Sequence, residues 1–447
     1  MKNFAFDRTG RAFIVIVLIV AVTVPFIFYI FYYGAIIPGI NKDSDNVKAE
    51  IKHREKINQT IEGNIVDSTG DIITYADTEG VPARCDYKCY SQLVGYNSVT
   101  KNTYGLRSRY WKYLYSAGSD HKGATIKLTT INKIQRAAYE AIRDTDGCAV
   151  VLENRTGRII ALATTNPQVE MDVNDLDSNW KEMNSVEGFF IPNWKKALAP
   201  GSSIKPLVGT LIYDEGKADT EYNDTGKEKI DGYTFRNSNK ASYGKISLRL
   251  GIVNSCNTYF SHMSDEIGKY KLMERMEAFN IGKDLELDFT TISSQHNLSD
   301  STRAEYSAAG FGQGRLLLTP INIAMTGQAI ANKGVMLKPY LIDSIYNDSK
   351  TFLSGGYEEL GQSCSEEAAD YVSDCMLDAA EHYGIDRSLG IHAKTGTAEL
   401  AQDNRAVFLS FNSEYTVCIV ENYTDKFGKD LKNSALMIYS ALDSLHQ

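Results

Sequence analysis

Ser202 and Lys205 stand three residues apart in Pro200-Gly201-Ser202-Ser203-Ile204-Lys205-Pro206. On a helix that spacing puts a hydroxyl and an amine one turn apart on the same face. A serine hydroxyl is a poor nucleophile until a neighbouring base takes its proton. A lysine acts as that base when burial lowers its pKa, because desolvation disfavours the charged form. Pro206 fits a helix only in its first turn, so the helix is expected to begin near Ser202 or Ser203, with the hydroxyl at its positive end. The same letters recur at Ser98–Lys101, Ser119–Lys122, Ser178–Lys181 and Ser242–Lys245. Ser202 differs from these in the Pro-Gly before it, the apolar helix after it, and two short motifs further on. They are Ser255-Cys256-Asn257, 53 residues later, and Lys394-Thr395-Gly396-Thr397, 192 residues later.

For these segments to act together, a helix start, a helix junction and a strand must meet in one cleft. The patterning supplies candidates. Residues 124–129 read as a short strand, and 131–144 carry helical spacing through Ile134, Ala137, Ala138, Ala141 and Ile142. The runs 148–153 and 158–163 flank Asn154-Arg155-Thr156-Gly157, a hairpin signal. Residues 167–195 are polar with scattered aromatics and are expected to form a long loop. The second motif falls at a helix start or junction within 244–262. Gly310-Phe311-Gly312-Gln313-Gly314 lacks the leading strand and the closing Lys-Ser or Lys-Thr of a phosphate loop, and reads as a turn before a helix at 319–333. The runs 391–400, 406–412 and 415–421 fit adjacent antiparallel strands, and Leu431, Ala435, Ile438, Leu442 and Leu445 make one stripe of a closing helix. The first and last strands must share a sheet for Ser202 to meet Lys394. The fold class is therefore α+β, an antiparallel sheet with helices on both faces.

In this order and spacing the motifs resemble the Ser-x-x-Lys, Ser-x-Asn and Lys-Thr-Gly set of penicillin-binding proteins and class A β-lactamases. The chain looks like a class B penicillin-binding protein, a peptidoglycan D,D-transpeptidase. Ile61–Ala76 resembles the start of the family's non-catalytic pedestal, with a hairpin turning at 67–70, although Glu62 stands where the family usually has arginine before the glycine. Leu93-Val94-Gly95-Tyr96 and Tyr104-Gly105-Leu106 look like further pedestal pieces, and 312–339 again resembles the family. The resemblance implies a penicillin-binding/serine β-lactamase-like transpeptidase domain after one transmembrane helix and a small β-rich pedestal. Its limits are expected at 1–11 (cytoplasmic tail), 12–37 (membrane helix), 38–120 (pedestal) and 121–447 (transpeptidase domain). Some 80 residues of pedestal are too few for the glycan-polymerising domain of class A proteins.

The resemblance also implies roles. Ser202 attacks the carbonyl of a D-Ala-D-Ala stem peptide or a β-lactam, giving an acyl-serine ester. Lys205 is the general base, Ser255 passes a proton to the leaving amine, and Asn257 holds the acyl amide or Lys205. Lys394 places positive charge near the substrate carboxylate. Thr395 and Thr397 present hydroxyls on one face of the strand, and Gly396 between them permits close approach. The N–H groups of Ser202 and Thr397 would form the oxyanion hole. No cofactor or metal is implied. A β-lactamase of the class D kind, a D,D-carboxypeptidase and a penicillin-sensing or non-catalytic scaffold share much of this machinery and stay open.

Residues 12–33 are 22 uncharged residues, a helix of about 33 Å, enough to cross the hydrocarbon layer. Its apolar region exceeds that of a signal peptide, so an uncleaved anchor is expected. Lys2, Arg8 and Arg11 precede it and Lys42, Lys48, Lys52, Arg54 and Lys56 follow it. Charge counting does not orient it; the outside placement of the main domain rests on the enzyme reading. Ser44-Asp45-Asn46 matches the second motif by letter only and is read as chance. A net charge of −9 without a basic block argues against nucleic acid. The expected partners are stem peptides, β-lactams, the plasma membrane, a membrane glycan polymerase and division or elongation proteins. Seven cysteines are too few for a disulfide scaffold. Cys85 and Cys89 are the one close pair, and Cys148, Cys256 and Cys418 read as core fillers. His392, two residues before Lys394, reads as a partly exposed strand histidine.

Overall fold

Asp67 closes the first hairpin, its carboxylate accepting from the N–H groups of Thr69 (2.8 Å) and Asp71 (2.9 Å), the local bonding that makes aspartate a turn residue. In this computed structural model, which describes residues 55–98, 101–116, 121–399 and 404–445, the hairpin pairs β1 (Ile65–Val66) with β2 (Ile72–Tyr75). β3 (Arg84–Cys85) follows, then a short helix α1 (Gly105–Arg109) and β4 (Thr125–Leu128). The expected membrane helix at 12–37 and Ser44-Asp45-Asn46 lie outside the described residues. Among the described residues no helix is long and apolar enough to cross a membrane.

Beyond β4 come α2 (Asn132–Glu140), the hairpin β5 (Asp146–Glu153) and β6 (Ile159–Thr165), and α3 (Leu176–Ser185). Three helices carry the first two motifs: α4 (Lys205–Asp214), α5 (Leu248–Val253) and α6 (Asn257–Ile267). Then follow α7 (Pro320–Ala331), β7 (Ile342–Tyr346), β8 (Thr351–Ser354), α8 (Glu366–His382), β9 (His392–Glu399), β10 (Asn404–Phe411), β11 (Tyr415–Thr424) and α9 (Lys432–Asp443).

The central sheet has five strands in the order β9-β10-β11-β5-β6, and every pair is antiparallel. First and last strands do share it, and β9, with Lys394, is its edge. Side chains alternate across a strand, and the core follows that period. Ala149, Val151, Phe408, Val417 and Ile419 pack with Ile134, Ile438 and Leu442 of α2 and α9. Cys148, Val150, Val407, Leu409 and Cys418 pack with the helices of the other face, among them Ile323 of α7 and Val372 of α8. Burial on both faces is why these strands read as continuous apolar runs rather than alternating ones.

A second sheet runs β8-β7-β4-β1-β2-β3, with β1 and β4 parallel. It joins strands from either side of residue 121. Beside it, Glu62 is fully buried and Arg107 is 1% exposed. Arg107 donates to Glu62 through Nε (2.7 Å) and Nη2 (2.6 Å), and the same carboxylate accepts from Tyr115 Oη (2.7 Å) and the Ala83 N–H (2.9 Å). Glu62 stands where the resemblance implied an arginine, and its partner Arg107 lies 45 residues later.

The expected loop at 167–195 is interrupted by α3, which Asp175 caps by accepting from the Ser178 N–H (3.3 Å). Leu176, Trp180 and Met183 form its packing stripe, and Trp180 meets the rings of Tyr96 and Phe190 at 6.2 and 5.7 Å. The surrounding polar residues hid three anchors at helical spacing. All seven cysteines are unpaired; burial pushes the Cys85 thiol up to about 11 and the Cys89 thiol up to about 12.

Candidate active site

The turn that carries Ser202 is a 3-10 helix, Gly201–Ile204, that runs directly into α4 at Lys205. The α-helix thus starts later than the expected Ser202 or Ser203, with Pro206 in its first turn. A 3-10 turn has three residues per revolution and eclipses positions i and i+3, so Ser202 and Lys205 align more closely than in an α-helix. Lys205 Nζ lies 2.8 Å from Ser202 Oγ.

Two glycines let backbone meet backbone around this turn. Gly312 has φ +88, and a Cβ there would lie 1.8 Å from the Gly201 carbonyl oxygen; Gly201 N–H donates to the Gly312 carbonyl at 3.1 Å. Gly396 of β9 faces the other side, where a Cβ would lie 2.6 Å from the Pro200 carbonyl oxygen. The neighbour of Gly396 in the structure is therefore the chain's own turn at 200–203. The glycine-rich stretch 310–314, read from sequence only as a turn, is the floor beneath Gly201.

Ser255 sits between α5 and α6 with φ +53, a left-handed backbone that costs a non-glycine residue on the order of 1–3 kcal/mol. That bend aims both of its oxygens at Lys205: Nζ lies 2.6 Å from the Ser255 carbonyl and 3.1 Å from Oγ. Cys256 caps α6, its Sγ accepting from the Tyr259 N–H at 3.4 Å. Asn257, the first residue of α6, accepts from Lys205 Nζ through Oδ1 (2.7 Å) and donates through Nδ2 to the Arg236 carbonyl (3.2 Å). Of the two partners expected for Asn257, the structure pairs it with Lys205.

Lys394 reaches the same point from β9. Its Nζ donates to Ser255 Oγ (2.9 Å), the Thr395 carbonyl (3.0 Å) and Tyr383 Oη (3.2 Å). Ser255 Oγ is thus shared between two lysines. Both are fully buried, and burial holds the Lys205 amine well below its ordinary pKa, with the nearby Lys394 cation adding to the effect. An amine whose charged form burial disfavours, 2.8 Å from a hydroxyl, is an arrangement for removing its proton. Thr395 and Thr397 are half-buried on the opposite face of β9, and Thr397 Oγ1 accepts from the Gly428 N–H at 3.1 Å. His392 turns away from this cluster. Its Nδ1 contacts the Ser373 carbonyl at 2.8 Å, its ring stacks on Phe411 at 4.8 Å, and burial lowers its pKa. Sequence reasoning missed Tyr383, which no motif marks.

Residues 147–416 match the family model of the penicillin binding protein transpeptidase domain. Penicillin-binding protein 3 of Bacillus subtilis is 25% identical over 297 residues, 62% of this chain and 43% of that protein. The peptidoglycan D,D-transpeptidase PbpA of Mycobacterium tuberculosis is 26% identical over 326 residues, 65% of this chain and 64% of that protein. The chain thus matches less than two thirds of the length of these relatives. Among solved structures, the D,D-transpeptidase domain of a peptidoglycan glycosyltransferase from Eggerthella lenta superposes with a TM-score of 0.79 at 25% identity, covering 87% of this chain and 99% of that one. An imipenem acyl-enzyme complex of penicillin-binding protein A from M. tuberculosis gives 0.76 at 20% identity, covering 86% and 99%. The family match spans the turn of Ser202, the shared Ser255 and the strand of Lys394 alike: this chain belongs to the penicillin-binding protein transpeptidase family, as a class B member.

Proposed function

We propose that this chain is a membrane-anchored peptidoglycan D,D-transpeptidase. The observation that carries the reading is the contact of Lys205 Nζ with Ser202 Oγ at 2.8 Å, in a cluster where Lys205 and Lys394 are fully buried and Ser202, Ser255 and Asn257 are half-buried. Ser202 Oγ attacks the carbonyl of the penultimate D-alanine and gives its proton to Lys205. The oxyanion is held by the N–H groups of Ser202 and Thr397, whose backbones are brought together where a Cβ on Gly201 would lie 2.9 Å from the Thr397 oxygen; losing one such donor typically costs about 10²–10³ in rate. The proton passes through Ser255 to the departing amine, and terminal D-alanine leaves. A second stem-peptide amine then attacks the ester and closes the cross-link. A β-lactam undergoes the first step only, its amine staying tethered. The substrate lies along the free edge of β9, where Lys394 supplies positive charge for its carboxylate from one face and Thr395 and Thr397 offer hydroxyls from the other.

The apolar stretch at 12–37 is the anchor, with 1–11 inside the cell, 38–120 a small pedestal and 121–447 the transpeptidase domain on the outside. A membrane glycan polymerase and division or elongation proteins are the partners this layout serves. A fluorescent penicillin tests the reading. The expected result is a label that persists for many minutes and maps by mass spectrometry to the peptide containing Ser202. Label lost within seconds identifies a β-lactamase, and absence of label identifies a scaffold.

The rate should also depend on pH in a defined direction. Lys205 must be neutral to accept a proton, and its pKa is held down by burial and by Lys394. Acylation should therefore rise with pH through that lowered pKa, well before 10.5. Lys394→Met removes the second cation, so the acid limb should move to higher pH. Stopped-flow acylation rates against pH check this, and an unmoved limb excludes Lys205 as the titrating base.

A further inference from the structure

The Lys394 ammonium has three N–H donors, and three oxygens surround it: Ser255 Oγ, the Thr395 carbonyl and Tyr383 Oη. All three are neutral. Lys394 is fully buried, and among the described residues no carboxylate lies within ion-pairing distance of it. A buried cation without a counter-charge is costly unless a ligand supplies one. Two of the three acceptors belong to the family's motifs. The third does not. Tyr383 is the residue that ends α8, half-buried where that helix packs on β9. Its backbone is fixed from the other side by Lys432 of α9, whose Nζ donates to the carbonyls of Tyr383 (3.1 Å) and Gly384 (3.4 Å). The phenol is therefore held in place by three elements and not merely draped over the site.

Because Tyr383 Oη accepts from an ammonium, its own proton points away from Lys394. Among the described residues that proton has no acceptor. A phenol polarised by a neighbouring cation is a strengthened donor. We propose that Tyr383 is a carboxylate-recognition residue of this site, donating its O–H to the terminal carboxylate of the stem peptide or β-lactam while its oxygen fixes the Lys394 ammonium. This deepens the transpeptidase reading and rests on it. The hydroxyl contributes selectivity for a free acid over its ester, because a site built to hydrogen-bond a group rejects the analogue that lacks it far more strongly than a hydrophobic pocket does.

The test compares benzylpenicillin with its methyl ester in the full chain, reading the second-order acylation constant for each. Tyr383→Phe keeps the ring and removes only the hydroxyl. The expected result is a fall of about tenfold in the acid-to-ester ratio, on top of any loss common to both that follows from freeing the Lys394 ammonium. Tyr383→Leu, which lacks ring and hydroxyl both, should show the same collapse in that ratio, so the outcome does not hang on the folding of one variant. A residue that only packed would slow acid and ester together, with their ratio unchanged; that result, or no change in either, overturns the assignment. Failure of the unmodified chain to be acylated by either compound overturns the transpeptidase reading itself.

Discussion

Lys205→Ala should cut acylation of Ser202 by on the order of 10²–10⁴, the usual worth of a positioned general base. The lysine touches Ser202 Oγ, both oxygens of Ser255 and Asn257 Oδ1, so its removal takes the base and the spacer from the same place. The fold should survive. Losing its hydrogen bonds leaves the Ser255 carbonyl and the Asn257 amide oxygen without their donor, a cost of about 1–3 kcal/mol each if water does not enter. Against that, the variant no longer desolvates an amine that would otherwise be charged. Sites that hold such groups are commonly traded against stability. A melting temperature close to that of the unmodified chain, with labelling lost, is the expected pair of results. Normal labelling in the variant would place the proton acceptor elsewhere.

The largest effect on stability should come from a site far from the chemistry. Glu62→Gln keeps an acceptor for Tyr115 and Ala83 but leaves the Arg107 guanidinium, 1% exposed, without its anion. Breaking a buried pair from one side costs about 3–5 kcal/mol, chiefly because an uncompensated charge stays inside. Arg107→Met should cost a similar amount by stranding the carboxylate. The double variant removes both charges and should recover much of the loss, so the two costs are far from additive. Thermal or urea unfolding of the four proteins measures the coupling. Single losses that simply sum in the double variant would mean that the pair contributes as two independent side chains.

The motifs were legible because their chemistry constrains residue type at short range: Ser202 with Lys205, Ser255 with Asn257, and the alternation through Lys394–Thr397. The sheet was legible because apolar runs bounded by turn residues at 154–157 and 412–414 announce antiparallel neighbours. What escaped depends on contacts that local pattern does not encode. Glu62 and Arg107 lie 45 residues apart, and each alone reads as a surface charge. Tyr383 lies 11 residues from Lys394 but reaches it only because α8 lies along β9. Gly312 serves Gly201 across 111 residues, and a glycine-rich turn gives no hint of which backbone it admits. Helix α3 was lost because three apolar anchors among ten residues fall below the density that periodicity needs.

The parallel pairing of β1 with β4 has a practical side. Trimming the protein at residue 121 for crystallisation or inhibitor screening would strip β4 of the strand beside it and bare its unpaired amides. Such a raw border invites other chains to add themselves. A shortened recombinant protein that keeps residues 55–116 retains its own lining there and is the piece to express.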